Sequence, residues 1–308
     1  MPQKVKLILN PMSDMGRAWK AANDLRPIVQ EFKEGEISWS DTVYPTHATE
    51  LAKQAAAEGC DLVIALGGDG TVHEVINGLM QIPEDKRPAL GVVPLGSGND
   101  FAHALGVPKK PDHALAHALN GQPSKIDVGL LTDEHSGRRE YFDNTVGAGF
   151  DAVVTIRSHK LIIVKGFLMY LTAVIQTILL NHNPAKIQFQ SETESWEDTV
   201  LMTTVCNGGR EGGGFLISPE SKIDDGLLQF LNVKKVSRGM MFRLVPEFMK
   251  GTHLRFPATQ LGSFKKLRMN SDRPLYIHAD GEIFTSFGSD VREVSFEVLP
   301  GALSVVKG

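Results

Sequence analysis

The chain has 308 residues, of which 42% are hydrophobic and 22% charged, and its formal net charge is −4. This is the balance of an ordinary globular protein with enough chain for two cored domains, and it excludes a global basic field for nucleic acid. Cys60 and Cys206, far apart in apolar surroundings, argue against a disulfide framework, and residues 1–5 carry no apolar signal stretch, so a reducing cytosol is the expected compartment.

Residues 5–9 read as a strand, 10–16 as a turn, and 18–32 as a helix that contains Pro27. Residues 37–44 form a second strand of weaker alternation. Thr46 then stands before a helix at 48–58 and suits its N-cap. Residues 61–66 are a short apolar run ending at Gly67 and Gly68, which reads as a buried strand. Val72, Val75, Ile76 and Leu79 follow at helical spacing.

The corner between that strand and helix holds Gly67, Gly68, Asp69, Gly70 and Thr71. Backbone N–H groups and the positive end of the helix dipole point at one spot there, which suits a phosphate. The glycines are expected to allow positive φ and close ligand approach. A carboxylate at Asp69 would repel phosphate, so a divalent cation between them is the natural resolution. The stretch is neither a P-loop nor the dinucleotide fingerprint, and a bare Asp-Gly turn remains the competing explanation.

A fourth strand at 89–93 runs into Gly96, Ser97, Gly98, Asn99 and Asp100, then into a helix near 101–105. Strand, turn and helix thus repeat four times, which implies a parallel sheet with helices on both faces. Ligands sit at the carboxyl ends of such strands, so the loops at 10–16, 46, 67–71 and 96–99 are expected to converge on one crevice.

From Ser124 the texture changes. Runs at 125–131, 141–146, 186–190, 199–206, 227–233, 265–269, 275–278 and 291–298 have strand character, so this half reads as antiparallel β. Two helices interrupt it, an apolar one at 161–180 and a shorter one at 237–250. Lys165, Thr172, Gln176 and Thr177 make the apolar helix unsuited to spanning a membrane. It is expected to pack on a neighbour, with a membrane-surface face as the secondary reading. The domain boundary is expected near 122–124, and a last strand at 303–306 suits either half.

Gly67 to Thr71, together with Pro94, Leu95, Gly96, Ser97, Gly98, Asn99, Asp100, Phe101 and Ala102, resembles the diacylglycerol kinase catalytic-domain family, and its bacterial YegS-like lipid kinases in particular. Asn10, Pro11 and Ser13 resemble its first nucleotide loop, and Thr46, His47 and Ala48 its second. Gly147, Gly149 and Asp151, then Gly212, Gly213 and Gly214, then Asp224, Asp225 and Gly226, and finally Asp280, Gly281 and Glu282 continue the series in order.

The resemblance implies an α/β nucleotide-binding domain of the NAD-kinase and phosphofructokinase type, over residues 1–123. A mainly antiparallel β-sandwich follows over 124–308, with the active site in the cleft between them. It implies transfer of the γ-phosphoryl group of ATP to a lipid hydroxyl at a membrane surface, with Mg2+ as cofactor. Asp69 would belong to the metal and phosphate site, with Asp100 and Asp127 in the network around it. Asn10, Pro11, Ser13, Thr46, Gly67, Gly68, Gly70, Thr71, Gly96, Ser97, Asn99 and Glu282 would line the nucleotide. Asp280 would be the base that takes the hydroxyl proton. A second, structural Mg2+ would be held by the Asp225 carboxylate and the carbonyls of Lys222 and Leu227.

From the residues alone, Asp280-Gly281 reads as a hairpin turn, Asp127 as a satisfied partner at a strand end, and residues 222–227 as a connecting turn. His73 suits a packed or capping position, and His103, His113 and His117 lack metal spacing. Lys160, Lys165, Lys234, Lys235, Lys265 and Lys266 are candidates for docking on an anionic surface. An NAD kinase-like enzyme of soluble metabolites and a nucleotide-binding regulator without turnover stay open as alternatives, and a homodimer is expected by analogy.

Overall fold

Four parallel strands and their helices make up the first part of the chain, and the ends of those strands finish nearly level. In this computed structural model, residues 3–161 and 166–308 are described. They form two units, Met1–Ile126 with Gly301–Gly308, and Asp127–Pro300.

The first unit runs β1 (Gln3–Leu9), α1 (Arg17–Glu31), β2 (Gly35–Asp41), α2 (His47–Ala57), β3 (Leu62–Gly67), α3 (Asp69–Leu79), β4 (Ala89–Pro94), α4 (Asp100–Ala104) and α5 (Pro111–Asn120). The sheet order is β2-β1-β3-β4, all parallel. Leu9 pairs with Asp41 on one side and Leu66 on the other, and Leu66 pairs with Val93. The carboxyl ends are therefore in register, and each strand delivers its loop to the same edge. Every residue of β3 is buried, as expected of a central parallel strand covered on both faces.

The helix α5 went unread in the sequence. Pro111 opens it at the first turn, where a missing N–H loses nothing. Ala114, Leu115, Ala118 and Leu119 form its buried face. The helix α1 continues through Pro27 to Glu31.

The second unit begins within β5 (Pro123–Asp133) and continues with β6 (Arg139–Phe142), β7 (Thr145–Gly149), α6 (Phe150–Ser158), α7 (Gly166–Leu180), β8 (Ala185–Ser191), β9 (Ser195–Cys206), β10 (Arg210–Glu211), β11 (Phe215–Leu216), β12 (Leu228–Lys234), α8 (Arg238–Lys250), β13 (Thr259–Phe264), β14 (Lys266–Ser271), β15 (Ile277–Ala279), β16 (Glu282–Thr285) and the start of β17 (Glu293–Val306), whose residues from Gly301 belong to the first unit. Its strand pairings are antiparallel, which makes this unit the mainly antiparallel β-sandwich expected from the sequence. The long strand β9 is shared. Its first half pairs with β8, and its second half lies between β7 and β12.

One apolar core includes Phe142, Phe189, Phe230, Phe264 and Phe296. A second fills the space between β9, β12 and the helices α6, α7 and α8, with Val154, Ala173, Ile178, Leu231 and Leu244 among its members.

Two expectations are corrected here, and one more helix went unassigned. The run at 141–146 is two strands, because Asp143 and Asn144 give their N–H groups to the carboxylate of Asp280 instead of a ladder. The runs at 291–298 and 303–306 are one strand, β17, which passes through Pro300 and through Gly301 at φ 58°. The helix α6 was missed because its β-branched run Val153, Val154, Thr155 and Ile156 imitates a strand. It is buried on nearly every side and has no polar face to betray its period. Residues 162–165, part of the apolar helix expectation, lie outside the described residues, as does Lys165. No helix among the described residues is long and apolar enough to cross a membrane.

Candidate active site

In the first unit the loops at the strand ends touch one another. The Asn10 side chain donates to Thr71 Oγ1 at 3.1 Å, and the Gly68 N–H reaches Ser13 Oγ at 3.3 Å. Pro11 follows Asn10, whose Oδ1 accepts the Met12 N–H at 3.0 Å and so fixes the turn. The first loop is thereby fastened onto the β3–α3 corner. Asn99 closes the fourth loop on itself, accepting from the Gly96 N–H at 3.0 Å and donating to the Gly96 carbonyl at 2.7 Å. Ser97 is left exposed at its rim.

The glycines of the corner serve close approach. A Cβ on Gly96 would lie 2.4 Å from Gly68 Cα, and one on Gly67 would lie 2.3 Å from Thr71 Oγ1. The expected positive φ is absent: Gly68 has φ −94°, and neither Gly67 nor Gly70 has positive φ. The left-handed positions fall elsewhere. Asp14, Met15, Thr46, Asn99 and Asp280 are the described non-glycine residues with positive φ. All five belong to the predicted nucleotide loops or to the candidate base. Such strain persists only where the surroundings enforce it, and it concentrates at functional sites.

Thr46 is a correction. It occupies the position before α2 at φ 71° but makes no side-chain cap. Glu74 on α3 caps the helix instead. Its carboxylate accepts the N–H groups of Thr46 at 2.8 Å and Ala48 at 3.0 Å. The Thr46 side chain is thereby freed from the capping role, and the second loop is tied to α3.

Asp69 opens α3, and its Oδ1 accepts the Phe101 N–H at 3.3 Å. A Cβ on Gly98 would lie 2.8 Å from Asp69 Oδ2 and 3.5 Å from Asp100 Oδ2, so both carboxylates crowd one glycine. Burial, then the charge of Asp100, pushes the Asp69 pKa up to about 6. Two acids held together at a helix N-terminus are a donor set that suits a hard divalent cation. His73, in the first turns of α3, is buried, and its Nε2 lies 3.3 Å from Asn77 Nδ2, in accord with a packed role.

In the second unit, Asp280 and Gly281 form the two-residue turn between β15 and β16, at φ 52° and 86°. The hairpin reading of the sequence is therefore correct as structure. Yet the Asp280 side chain turns inward. Its Oδ1 accepts the N–H groups of Asn144 and Thr145, each at 2.9 Å, and its Oδ2 accepts that of Asp143 at 3.1 Å. Glu282, next in the hairpin, is exposed.

Asp127 is buried, and its Oδ2 accepts the Gly226 N–H at 2.6 Å. Its own N–H donates to the Ile223 carbonyl at 2.7 Å. The structure thus brings Asp127 onto the loop of Lys222, Asp225 and Leu227. Asp225 and Lys222 are exposed on that loop, and Asp225 Oδ1 accepts the Leu227 N–H at 3.1 Å.

A cluster that the sequence did not single out lies behind the Asp280 turn. His278 Nε2 faces Glu211 Oε1 at 3.2 Å and Asp151 Oδ2 at 3.6 Å. The Tyr170 hydroxyl reaches Asp151 Oδ1 at 3.1 Å and Glu211 Oε1 at 3.0 Å, and Thr204 donates to Asp151 Oδ2 at 2.8 Å. Burial alone would lower the His278 pKa; the charge of Glu211 and its contacts with Asp151 override this and raise it to about 10. Burial raises the Glu211 pKa. That of Asp151 is lowered: burial works against this, and His278 outweighs it.

Asp151 and Tyr170 also border a small apolar hollow of about 60 Å³, lined by side chains such as Val174, Leu201, Phe215, Met241 and Phe248.

The family model described as the diacylglycerol kinase catalytic domain matches residues 4–131, and that of the YegS C-terminal NAD kinase beta sandwich-like domain matches residues 144–307. A diacylglycerol kinase of Bacillus subtilis is 30% identical over 284 residues, covering 91% of this chain and 90% of that protein. The chain belongs to the diacylglycerol kinase and YegS-like lipid kinase family. Among solved structures, a diacylglycerol kinase of Bacillus anthracis superposes with a TM-score of 0.74 at 22% identity, covering 99% of this chain and 97% of that one. A yeast NADH kinase has a TM-score of 0.54 at 12% identity, over 100% of this chain and 84% of that one. Both likenesses concern the fold.

Within this lipid kinase family member, Glu74, Tyr170, Glu211 and His278 are the residues that sequence reasoning passed over. Glu74 gives no local signal, since its partners are 26 and 28 residues away. His278 stands two residues before Asp280, and Asp151 ends the Gly147–Asp151 series. A glycine is needed at 147 because a Cβ there would lie 2.3 Å from His278 Nε2 and 2.4 Å from Asp151 Oδ2.

Proposed function

We propose that the protein transfers the γ-phosphoryl group of ATP to the hydroxyl of a lipid, a diacylglycerol-like molecule first among the acceptors. The observation that carries this is the apolar hollow of the second unit, lined by Val174, Leu201, Phe215 and Met241 and bordered by Asp151 and Tyr170. Acyl chains gain free energy on leaving water for such a wall, at roughly 25 cal/mol per Å². A soluble dinucleotide would find few polar partners there.

In this reading the first unit binds the nucleotide. The N-terminus of α3 and the loops fastened around Gly68 and Gly96 receive the phosphates. Asn10, Pro11, Ser13, Thr46, Gly67, Gly70, Thr71, Ser97 and Asn99 surround them, with Glu282 assigned to the nucleotide as well. Asp69 would hold Mg2+ with Asp100 beside it, and the ion when bound supplies charge neutralisation for the phosphates. Asp280 accepts the hydroxyl proton as the acceptor oxygen attacks. Three backbone N–H groups hold its carboxylate, which fixes the base in place without covalent help.

Asp127 then acts through the 222–227 loop, and the assignment of a second Mg2+ to Asp225 with the carbonyls of Lys222 and Leu227 is kept. One carboxylate with backbone oxygens suits that ion.

We extend the proposal to peripheral work at a membrane surface. Leu168, Ile175 and Leu179 are exposed along one side of α7, at 63%, 41% and 55%, and their spacing of seven and four residues makes one stripe. The expected contribution of lysines is weaker. Lys234 pairs with Asp198 at 2.8 Å and Lys266 with Glu297 at 2.9 Å, so their charge is offset locally.

The experiment is transfer from γ-labelled ATP into a panel of diacylglycerol, phosphatidylglycerol and a sphingoid base. Label in a lipid supports the assignment. Purified protein that labels none of them, and converts NAD to NADP instead, overturns it.

A further inference from the structure

The apolar hollow and the candidate base share one chain of side chains. Tyr170 stands on α7 at the border of the hollow, and its ring packs on the backbone of Gly212, where a Cβ would meet it at 2.8 Å. Its hydroxyl reaches both Asp151 and Glu211. Those two carboxylates face His278 Nε2 from two different elements, α6 and β10. His278 is fully buried in the three-residue strand β15, and Nδ1 on its other side lies 3.3 Å from the Gly281 N–H. Asp280 sits between His278 and that N–H in sequence.

A strand of three residues has little ladder to fix its end. The side chain of His278 supplies what the ladder lacks, an anchor two residues before Asp280, with Nε2 facing the carboxylates and Nδ1 facing the Gly281 N–H. Gly147 leaves the room this anchor occupies, since a Cβ there would collide with His278 and Asp151, and Gly212 leaves room for the Tyr170 ring.

We propose that His278 is a positioning residue for Asp280, and that Tyr170 ties its carboxylate cage to the hollow, so that an occupied hollow tightens the turn that carries the base. The consequence for catalysis rests on the lipid-kinase proposal; the consequence for the turn does not. Neither Tyr170 nor His278 is assigned contact with the reacting atoms. The competing explanation is a buried polar cluster that serves stability alone.

The test uses the full chain with Tyr170→Phe, which removes one oxygen and keeps the ring on Gly212, and His278→Gln, which keeps an N–H donor toward the carboxylates. Hydrogen exchange is followed at the amides of Asp143, Asn144 and Thr145, which donate to Asp280, and at Gly281. Positioning predicts exchange faster by about tenfold at these amides in Tyr170→Phe, with the β12–β13 amides unchanged. Dioctanoylglycerol slows exchange at the same amides in the wild type and does so less in Tyr170→Phe.

In turnover, kcat falls by about 10–100-fold while the acceptor KM and the ATP affinity stay within about twofold. His278→Gln keeps more kcat than His278→Leu.

Unchanged exchange at residues 143–145 overturns the proposal. So does faster exchange throughout the unit, which is the mark of a stability role, or a raised acceptor KM with kcat intact, which would make Tyr170 a contact of the acceptor. If the wild type labels no lipid but the exchange pattern holds, the lipid-kinase assignment falls and the positioning of the turn stands.

Discussion

Asp280 Oδ1 accepts the backbone N–H of Thr145 at 2.9 Å across 135 residues of chain. The same oxygen takes the Asn144 N–H, and the other takes that of Asp143. This carboxylate therefore ends the gap between β6 and β7 as well as serving as the candidate base. Asp280→Ala is predicted to cost about 2–4 kcal/mol, because it strands three buried donors at about 1–3 kcal/mol each before water re-enters. Asp280→Asn keeps one oxygen for them and is predicted to lose roughly half as much. Chemical denaturation of the two variants checks the order. Equal stability of wild type and Asp280→Ala would contradict the hydrogen-bonded role.

Asp69 and Asp100 repel one another around Gly98. Replacing Asp69 by Asn removes that repulsion and the cation donor together. The variant is predicted to melt about 2–4 °C higher than wild type without added metal. Added Mg2+ is predicted to raise the melting temperature of the wild type by more than that of the variant, which keeps only the Asp225 site. Thermal melts with and without Mg2+ decide this, and an equal Mg2+ response in both proteins would remove Asp69 from the metal site.

His278 gives the protein a pH dependence of definite sign. Its pKa is raised from 6.5 to about 10, so the folded protein holds this proton more tightly than the unfolded chain. That stabilisation is full below about pH 6.5 and is lost as pH rises toward 10. Glu211, also raised, works in the same direction from lower pH, whereas the lowered Asp151 contributes stability that is lost as pH falls. Tyr170, raised well above its usual value, stays neutral through this window. Melting temperatures from pH 6.5 to 10 are predicted to fall by roughly 5 °C more in wild type than in His278→Gln. Parallel curves would contradict the cation assigned to His278.

The apolar stripe of α7 predicts a surface effect separable from chemistry. Leu168→Ser with Leu179→Ser exposes no new core, since both side chains already face solvent. Flotation with phosphatidylglycerol vesicles is predicted to recover several-fold less of this double variant. Its activity on dioctanoylglycerol in detergent is predicted to stay within about twofold of wild type. Undiminished flotation would remove the stripe from membrane contact.

The parallel part of the fold was legible because each strand ends at a glycine, Asn or Thr loop and each helix begins at helical spacing. The convergence of Asn10, Ser13, Gly68 and Gly96 followed from that alternation. What the sequence concealed was long-range. Nothing local indicates that Glu74 caps α2, that Asp280 folds in under residues 143–145, or that Asp151, Glu211 and His278 form one cage. The glycines of the β3–α3 corner were correctly singled out for a partly wrong reason, since packing of Thr71 and Gly96 demands them and positive φ does not. The run from Val153 to Ile156 received no assignment, because its β-branched residues carry strand propensity while tertiary burial imposes a helix.

The most direct measurement is a single reaction in which purified protein, γ-labelled ATP and Mg2+ meet diacylglycerol vesicles and NAD together. Label is predicted in the lipid alone for wild type, and reduced by at least about 100-fold with Asp280→Asn. Label in NADP, or lipid label that survives Asp280→Asn undiminished, would contradict the account.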